Sequence, residues 1–263
     1  MNIAIFSDVH ANLPALEAVL DDIDRQRPDA VFCLGDLVGY APWPNEVVNL
    51  IRARHSPFIA GNYDLGVGQR RDDCGCAYRT ELDKARGAES IAFTNQVVTD
   101  EVRAYLKSLP RHLCLTFEVV GATAELLLVH GSPRRVNEYL FADRPDKRLL
   151  RMMTAVRADI MLFGHTHKLY HKVLVEPRDE HVTYRHPSMS AQSVSPKTAI
   201  HKPATSSYTG LIAPTQVIRR ASRSTLSASR TMSSATRKLL RRAPSPMPLR
   251  RCCARLSSTL RHK

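Results

Sequence analysis

Five short motifs rich in aspartate, histidine and asparagine lie between Ser7 and His167 of this 263-residue chain. In chain order they are Ser7-Asp8-Val9-His10, Gly35-Asp36, Gly61-Asn62-Tyr63-Asp64, Val129-His130-Gly131 and Gly164-His165-Thr166-His167. Their carboxylate, imidazole and amide groups suit Mn²⁺, Fe or Zn²⁺ better than metals that prefer thiolates. Two such ions about 3.5–4 Å apart can clamp a phosphoryl group and activate a water molecule, so that no serine or cysteine nucleophile is required.

Each motif directly follows a short apolar run, which places it at the end of an expected strand. The runs are Ile3–Phe6, Ala30–Leu34, Phe58–Ala60, Leu126–Val129 and Ile160–Phe163. Nearly continuous apolar runs are typical of strands that are buried on both faces. Polar residues at the carboxyl ends of such strands project from loops at one rim of a sheet, where α/β folds usually bind ligands.

The motif set resembles the calcineurin-like metallophosphoesterase superfamily, and most closely its small bacterial and archaeal single-domain phosphoesterases. The resemblance covers residues 1–186 and is especially close in Ser7–Asn12, Gly35–Tyr40 and Gly164–His167. One such motif would be weakly specific, whereas five in the same order, each after a strand-like run, are strongly specific. The resemblance implies an enzyme that hydrolyses phosphate esters, and it leaves open whether the substrate is a monoester, a diester or a dinucleoside polyphosphate.

The same resemblance implies two metal sites that share one carboxylate. With Asp36 bridging, the implied ligands are Asp8, His10, Asp36 and His167 for the first ion and Asp36, Asn62, His130 and His165 for the second. Mn²⁺ is the expected metal, with Fe, Zn²⁺ or Ni²⁺ as alternatives. The expected partner is a small phosphate-ester substrate, and the oligomeric state is left open.

Five residues of this set are expected to act in catalysis: Asp36, Asn62, Tyr63, Asp64 and His130. Tyr63 departs from the family pattern, which often has histidine at this position to protonate the leaving group, oriented by the acid that follows it. Tyrosine has a reference pKa near 10, so it is a poor general acid at neutral pH unless its pKa is shifted. Either the enzyme favours good leaving groups or another residue donates the proton.

Helical patterns alternate with the strand-like runs. Leu13, Leu16, Val19, Leu20 and Ile23 fall on one helical face, with Pro14 in the first turn. Further helices are expected after Pro44, within residues 84–109 and at 146–157, and strands near 112–119, 169–175 and 181–185. Together with the resemblance, this order predicts an α/β fold: a layered α/β/β/α sandwich of two mixed sheets flanked by helices, with its C-terminal strands missing.

The sequence has no apolar run of 18 or more residues, so no transmembrane helix is expected. It begins directly with a strand-like run and has no basic segment before it, which argues against a signal peptide and predicts a cytoplasmic protein. The six cysteines have neither the spacing of a disulfide framework nor that of a zinc ribbon. Cys74-Gly75-Cys76 could form a third metal or redox site, although a loop on the substrate side is the favoured interpretation.

The composition changes abruptly after His186. Residues 187–263 contain fifteen lysines or arginines and no acidic residue, whereas residues 1–186 contain 23 basic and 25 acidic residues. The formal net charge of +13 therefore comes from the tail. A segment dominated by Ser, Arg, Pro, Ala and Thr cannot bury enough apolar surface to offset the entropy of ordering it. We therefore expect two parts: a truncated phosphoesterase domain at 1–186 and a disordered basic tail at 187–263.

The start of the tail suggests a change of reading frame. Where the family continues with a segment like Asn-x-Gly-Ser-Val-Gly-x-Pro, codons can be written for residues 188–197 that, read one base earlier, give Ile-Asn-Val-Gly-Ser-Val-Gly-Lys-Pro-Lys. The hypothesis is that residues from about Pro187 onward are translated out of frame. A sheet that lacks its final strands exposes an edge and part of a core face, so we expect poor solubility or weak metal occupancy.

Two other functions compete with the metal-dependent phosphoesterase. The basic tail, with runs such as Arg237–Arg242, could bind nucleic acid phosphates, although Tyr208 is its only aromatic residue and stacking on bases is therefore unsupported. Such binding is not expected to be physiological. Alternatively, the chain is an inactive product of the altered frame.

Overall fold

A computed structural model describes residues 2–119, 122–178 and 181–189, and these contain six helices and eight strands. The strands are β1 (Ile3–Phe6), β2 (Ala30–Cys33), β3 (His112–Val119), β4 (Ala122–Val129), β5 (Ile160–Phe163), β6 (Tyr170–His171), β7 (Leu174–Arg178) and β8 (His181–Met189). The helices are α1 (Leu13–Gln26), α2 (Pro44–Ala53), α3 (Asn62–Gly68), α4 (Glu81–Val97), α5 (Asp100–Ser108) and α6 (Asp146–Ala155).

The strands form two sheets. In the smaller sheet β1 and β2 run parallel, and Phe58 adds a single parallel bridge to Cys33. The larger sheet has six strands in the order β3-β4-β5-β8-β6, and β7 pairs with β8. It is mixed, because β4–β5 and β5–β8 are parallel whereas β3–β4, β6–β8 and β7–β8 are antiparallel. The predicted α/β sandwich of two sheets flanked by helices is confirmed, although the described part of the smaller sheet is parallel rather than mixed.

Alternating side chains explain why the strand sequences are apolar on both faces. On β4, Leu126 and Leu128 belong to the core between the two sheets, whereas Leu127 and Val129 face the core beneath α6. Successive side chains of a strand point to opposite faces, so a strand that is covered on both sides needs an unbroken apolar run. The core between the sheets comprises Ile5, Phe32, Leu34, Ile59, Leu115, Leu126, Leu128 and Leu162.

Helix α1 follows the predicted pattern. Leu16, Leu20 and Ile23 are buried against the smaller sheet, and Leu13 and Val19 pack at the edge of the same cluster. The side chain of Asn12 accepts a hydrogen bond from the Ala15 N–H, which caps the helix at its first turn. The helical pattern within 84–109 forms two helices, α4 and α5, and the helix expected at 146–157 ends at Ala155. Among the described helices, none is long and apolar enough to span a membrane.

One local prediction was wrong, and one strand is longer than expected. The run Phe58–Ala60 forms a single bridge to Cys33 rather than a strand of its own, because Ala60 donates its N–H to the carbonyl of Pro110 instead of to the neighbouring strand. Strand β8 does not end near 185: residues 186–189 pair in parallel with β5, so the expected boundary after His186 falls inside a strand. The expected tail from Ser190 onward lies outside the described residues.

Helix α3 was not predicted, and it begins where the third motif begins. Its sequence, Asn-Tyr-Asp-Leu-Gly-Val-Gly, contains two glycines and resembles a loop. All seven residues are buried, and the Asp64 carboxylate accepts hydrogen bonds from the Gly61 N–H at 2.9 Å and from the Leu37 N–H at 2.9 Å. One buried side chain therefore starts the helix and fastens it to the loop after β2.

Replacing Asp64 by alanine is expected to destabilise the fold. The change leaves the buried N–H groups of Gly61 and Leu37 without acceptors, which should lower the free energy of unfolding by about 3 kcal/mol. Urea unfolding followed by circular dichroism measures this. Asp24→Ala is the control, because Asp24 makes an ion pair with Arg54 at the surface and its loss should change stability little. Equal effects of the two substitutions would contradict the proposed role of Asp64.

Candidate metal centre

The five motifs meet at one edge of the sandwich. Because β1 and β2 are parallel, as are β4 and β5, the loops that follow these four strands leave the sheets at their carboxyl ends. Backbone hydrogen bonds join neighbouring loops: the Asp8 N–H donates to the Gly35 carbonyl at 2.9 Å, and the Gly164 N–H donates to the His130 carbonyl at 2.8 Å. These bonds extend the strand pairing into the motifs and hold the side chains in register.

Two clusters of possible metal ligands result. Asp8, His10 and His167 form one, and Asp36, His130 and His165 form the other; within each cluster one ligand atom per residue lies within 4.8 Å of the others. The Nε2 atom of His10 lies 3.3 Å from that of His167, and the Nε2 atom of His167 lies 3.2 Å from Asp8 Oδ1.

Asp36 lies between the two clusters. Its Oδ2 atom is 3.3 Å from His130 Nε2 in its own cluster and 3.8 Å from His10 Nε2 in the other. Asn62 joins the second cluster, since its Oδ1 atom lies 3.1 Å from His130 Nε2. All seven residues expected from the sequence as ligands thus lie close together.

The histidine rings are oriented by backbone carbonyl groups. His130 Nδ1 lies 2.8 Å from the Leu34 carbonyl oxygen, and His10 Nδ1 lies 3.2 Å from that of Val38. A carbonyl can only accept, so each Nδ1 is the donor, and in the neutral ring the lone pair is on Nε2. The Nε2 atom of His165 is buried and has no hydrogen-bond partner among the described residues. A metal ion that accepts the lone pair of the unprotonated nitrogen would satisfy this atom.

The electrostatics of the site are set by carboxylates buried beside imidazoles. Burial alone would raise the pKa of Asp8, but the hydrogen bond from His167 and the nearby His130 outweigh it and hold this pKa well below its usual value. For His130, burial alone would lower the pKa, but the nearby carboxylates of Asp36 and Asp8 outweigh burial and raise this pKa to about 9. His165 shifts the opposite way, because burial and the neighbouring His130 lower its pKa to about 4.

The backbone at the site is held in a sparsely populated conformation. The φ angles of Asp8, His10, Asp36, His165 and His167 are 55°, 50°, 54°, 69° and 54°, all in the left-handed region. Non-glycine residues rarely adopt this region, and each such residue costs about 1–3 kcal/mol. Five residues of one site in this conformation indicate that the surrounding hydrogen bonds and packing impose the geometry.

Two motif glycines are required for close approach. A Cβ atom on Gly61 would overlap the side chain of Asp36, and one on Gly164 would overlap the side chains of Ser7 and Asp8. The carboxylates can therefore lie directly against the backbone of the neighbouring motif. This contact explains why the residue before Asn62 and the residue before His165 are both glycine.

Tyr63 is placed to shape the site rather than to donate a proton. Its N–H donates to Asp36 Oδ1 at 2.9 Å, and its ring packs edge-on against that of His10. Its hydroxyl group is buried beside those of Tyr40 and Tyr78, and burial raises its pKa far above the usual value. The next residue, Asp64, has its pKa raised to about 7 by burial and by Asp36, and it contacts backbone N–H groups of the loops.

The loop at residues 73–76 orients the Asn62 amide. The Asn62 Nδ2 atom donates to the Cys74 carbonyl at 3.1 Å and lies 3.2 Å from Cys76 Sγ, which leaves its oxygen facing His130. Asn137, from the loop after β4, fastens this segment by donating to the Gly75 carbonyl at 2.9 Å. Burial raises the pKa of the Cys76 thiol to about 12, so the group remains a neutral thiol.

Sequence reasoning missed the aromatic residue that packs most closely on the metal centre. The ring of Tyr139 lies 4.0 Å from that of His165, centroid to centroid, and stacks on its other side against Phe141. Both aromatic residues belong to the loop that follows the His130 motif. The loop follows β4, which ends just before His130, and this position in the sequence could have identified them as candidates.

A cavity of about 510 Å³ opens over the two clusters. Its floor includes His10, Asp36, His165 and His167, so a molecule in the cavity reaches residues of both clusters. The wall on the opposite side comes from residues 76–86, which include Cys76. Of the segment Cys74-Gly75-Cys76, the residue that lines the cavity is Cys76.

Comparisons with known proteins identify the family to which this chain belongs. The family description that matches residues 1–184 is that of the calcineurin-like phosphoesterase superfamily domain. An uncharacterised protein of Methanocaldococcus jannaschii is 36% identical over 168 residues, which are 63% of this chain and 62% of that protein, so the match spans less than two thirds of the relative's length.

Two solved structures have the same fold. A metallophosphoesterase from Sphaerobacter thermophilus has a TM-score of 0.52 and 28% identity, over 73% of this chain and 76% of that one. A hypothetical protein from Pyrococcus horikoshii OT3 has a TM-score of 0.56 and 22% identity over the same shares. The family match covers more than half of the chain and includes every motif of the metal centre. The chain belongs to the calcineurin-like phosphoesterase superfamily.

Proposed function

We propose that this protein hydrolyses phosphate mono- or diesters by means of two divalent metal ions that share the Asp36 carboxylate. The observation that carries this proposal is the position of Asp36 Oδ2, 3.3 Å from His130 Nε2 in one cluster and 3.8 Å from His10 Nε2 in the other. The proposed ligands are Asp8, His10, Asp36 and His167 for one ion and Asp36, Asn62, His130 and His165 for the other.

The side chains fit such ions chemically. The buried Nε2 of His165 lacks a partner, and the low pKa of Asp8 keeps its carboxylate ionised. Carboxylate, imidazole and amide oxygen ligands favour Mn²⁺, with Fe, Zn²⁺ or Ni²⁺ as alternatives. When bound, two ions would neutralise the phosphoryl oxygens and lower the pKa of the attacking water.

The protein's own residues divide the remaining work. Carbonyl groups fix the rings of His10 and His130, so these imidazoles need not reorganise when the ions or the substrate bind. Because the Asn62 N–H group already donates to the Cys74 carbonyl, its oxygen is suited to ligation. Asp64 acts through the backbone of two loops, as a positioning residue.

Metal dependence tests the proposal directly. Treating the purified protein with a chelator is expected to abolish hydrolysis of bis(p-nitrophenyl) phosphate, and adding Mn²⁺ should restore it. Asp36→Asn should lower the rate by at least about 100-fold, because the neutral amide weakens the ligand shared by both ions. The bound metal is measured in parallel by mass spectrometry.

The matched control is Asp100→Asn, since Asp100 is an exposed aspartate that pairs with Arg70 away from the cavity. This variant should bind metal and turn over as the unmodified protein does. Hydrolysis that survives chelation, or full activity in Asp36→Asn, would refute the proposal.

A second test concerns the leaving group. Tyr63→His is expected to increase the rate on alkyl phosphate esters, which need protonation as they leave, because histidine titrates near neutral pH. The rate on a p-nitrophenyl ester, which leaves without help, should change less. The two rates are compared for both proteins at one pH. If the ratio of the rate on the alkyl ester to that on the p-nitrophenyl ester is the same in both proteins, the residue at position 63 does not determine the leaving-group preference.

The basic residues after Met189 support a competing function, the binding of nucleic acid. A chain that ends at Met189 distinguishes the two functions, and it should end there because residues 187–189 pair with β5. Under the phosphoesterase proposal, metal-dependent hydrolysis remains while any salt-dependent affinity for duplex DNA disappears. Loss of hydrolysis with an intact circular dichroism spectrum would count against the proposal. A full-length chain that binds metal but hydrolyses no ester would favour an inactive product.

A further inference from the structure

The cavity above the metal centre has an unusual concentration of aromatic residues. Four of the chain's eight tyrosines line it: Tyr40, Tyr63, Tyr78 and Tyr139. They come from four different segments: the loop after β2, helix α3, the segment before α4 and the loop after β4. Only 6% of the residues in the chain are aromatic, so this clustering gives the cavity a surface suited to a flat ring.

The mouth of the cavity carries positive charge. Arg79 and Arg86 are exposed, line its outer wall, and form no ion pair with a carboxylate of the described chain. Asp83 lies near them, but its carboxylate is engaged by the Thr80 hydroxyl in the cap of α4. Two guanidinium groups at the rim can therefore bind an anionic group that lies beyond the phosphate at the floor.

Tyr78 is held in place by a glycine. A Cβ atom at Gly87 of α4 would overlap the Tyr78 hydroxyl and ring, so the absence of a side chain at this position lets Tyr78 lie against the helix. Tyr40 and Tyr63 contact His10, and Tyr139 contacts His165, whereas no ring contact joins Tyr78 to a histidine of the metal centre among the described residues. Tyr78 therefore belongs to the wall of the cavity and is the best single probe of it.

We propose that this wall is a subsite for a nucleotide: the exposed or half-buried rings of Tyr40, Tyr78 and Tyr139 offer stacking faces to its base, and Arg79 and Arg86 bind a second phosphate, while the first phosphate lies over the metal centre. This assignment rests on the proposed phosphoesterase function and names its substrate class. Bases stack on aromatic side chains because every base has a flat π face, and arginine pairs with phosphate through two parallel N–H groups. A cavity of about 510 Å³ is of the size that holds small organic ligands.

The test compares two inhibitors that differ only in the base. Adenosine 5′-monophosphate and ribose 5-phosphate compete with bis(p-nitrophenyl) phosphate on the full chain loaded with Mn²⁺. Adenosine 5′-monophosphate is expected to bind about tenfold more tightly, since stacking acts on the base alone. Tyr78→Leu should bring the ratio of the two inhibition constants close to one. Tyr78→Phe, which keeps the ring, should retain the preference for adenosine 5′-monophosphate.

Two further variants separate the base from the second phosphate. Gly87→Ala, which displaces Tyr78, should reduce the preference for the base without altering any residue that lines the floor of the cavity. The double variant Arg79→Gln and Arg86→Gln should weaken the binding of adenosine 5′-diphosphate more than the binding of the monophosphate. Tyr184→Leu, at a half-buried tyrosine on β8, is the control outside the cavity and should leave the preference for the base unchanged.

Equal inhibition by the two compounds, or a preference that survives Tyr78→Leu, would overturn the nucleotide subsite. If the protein hydrolyses no ester, the proposed function fails on its own. The affinities of the same two compounds, measured by calorimetry, still decide whether the base is bound.

Discussion

The burial of Asp8 and Asp36 among four histidines is the constraint on which the rest of this structure depends. Asp8 is fully buried and Asp36 is 2% exposed, so both carboxylates lose their hydration and must be balanced by neighbouring groups. Imidazoles and backbone N–H groups supply part of that balance: the His165 N–H donates to Asp8, and the Tyr63 N–H donates to Asp36. Divalent cations would supply the remainder, which links the stability of the site to its proposed chemistry.

The fold is organised around this one edge. Two sheets with buried faces bring four parallel strand ends together, and glycines at 61 and 164 let the carboxylates approach the next motif. The left-handed φ angles at the ligand residues are unfavourable by themselves and are maintained by hydrogen bonds between the loops. Side chains held in place in this way suit a reaction that depends on positioning.

Much of this arrangement could be predicted from the sequence, because the signals were local and repeated. In four of the five motifs the apolar run forms a strand, and the Asp or His that follows it lies at the carboxyl end of that strand. All seven expected ligands lie close together. The prediction missed α3, because its glycines hide a helix that Asp64 stabilises through contacts with another loop. It also missed Tyr139 and the arginine rim, because residues that line a cavity from separate segments have no common spacing in the sequence.

Strand pairing at the C-terminal end continues beyond the point where the amino-acid composition changes. Composition changes after His186, yet the parallel register with β5 continues through Met189, where the Thr166 hydroxyl, between two proposed ligands, contacts the Met189 sulfur. Strand β8 therefore reaches the loop that carries His165 and His167. A change in the sequence at this strand would act on the metal centre through that loop.

Electron paramagnetic resonance of the protein loaded with Mn²⁺ tests the central claim most directly. Two ions joined by the Asp36 carboxylate should be magnetically coupled, giving a multiline spectrum at two manganese ions per chain. Asp36→Asn should lose the coupling. The six-line spectrum of isolated Mn²⁺ in the unmodified protein at full loading, or a stoichiometry of one, would contradict a shared carboxylate between two metal sites.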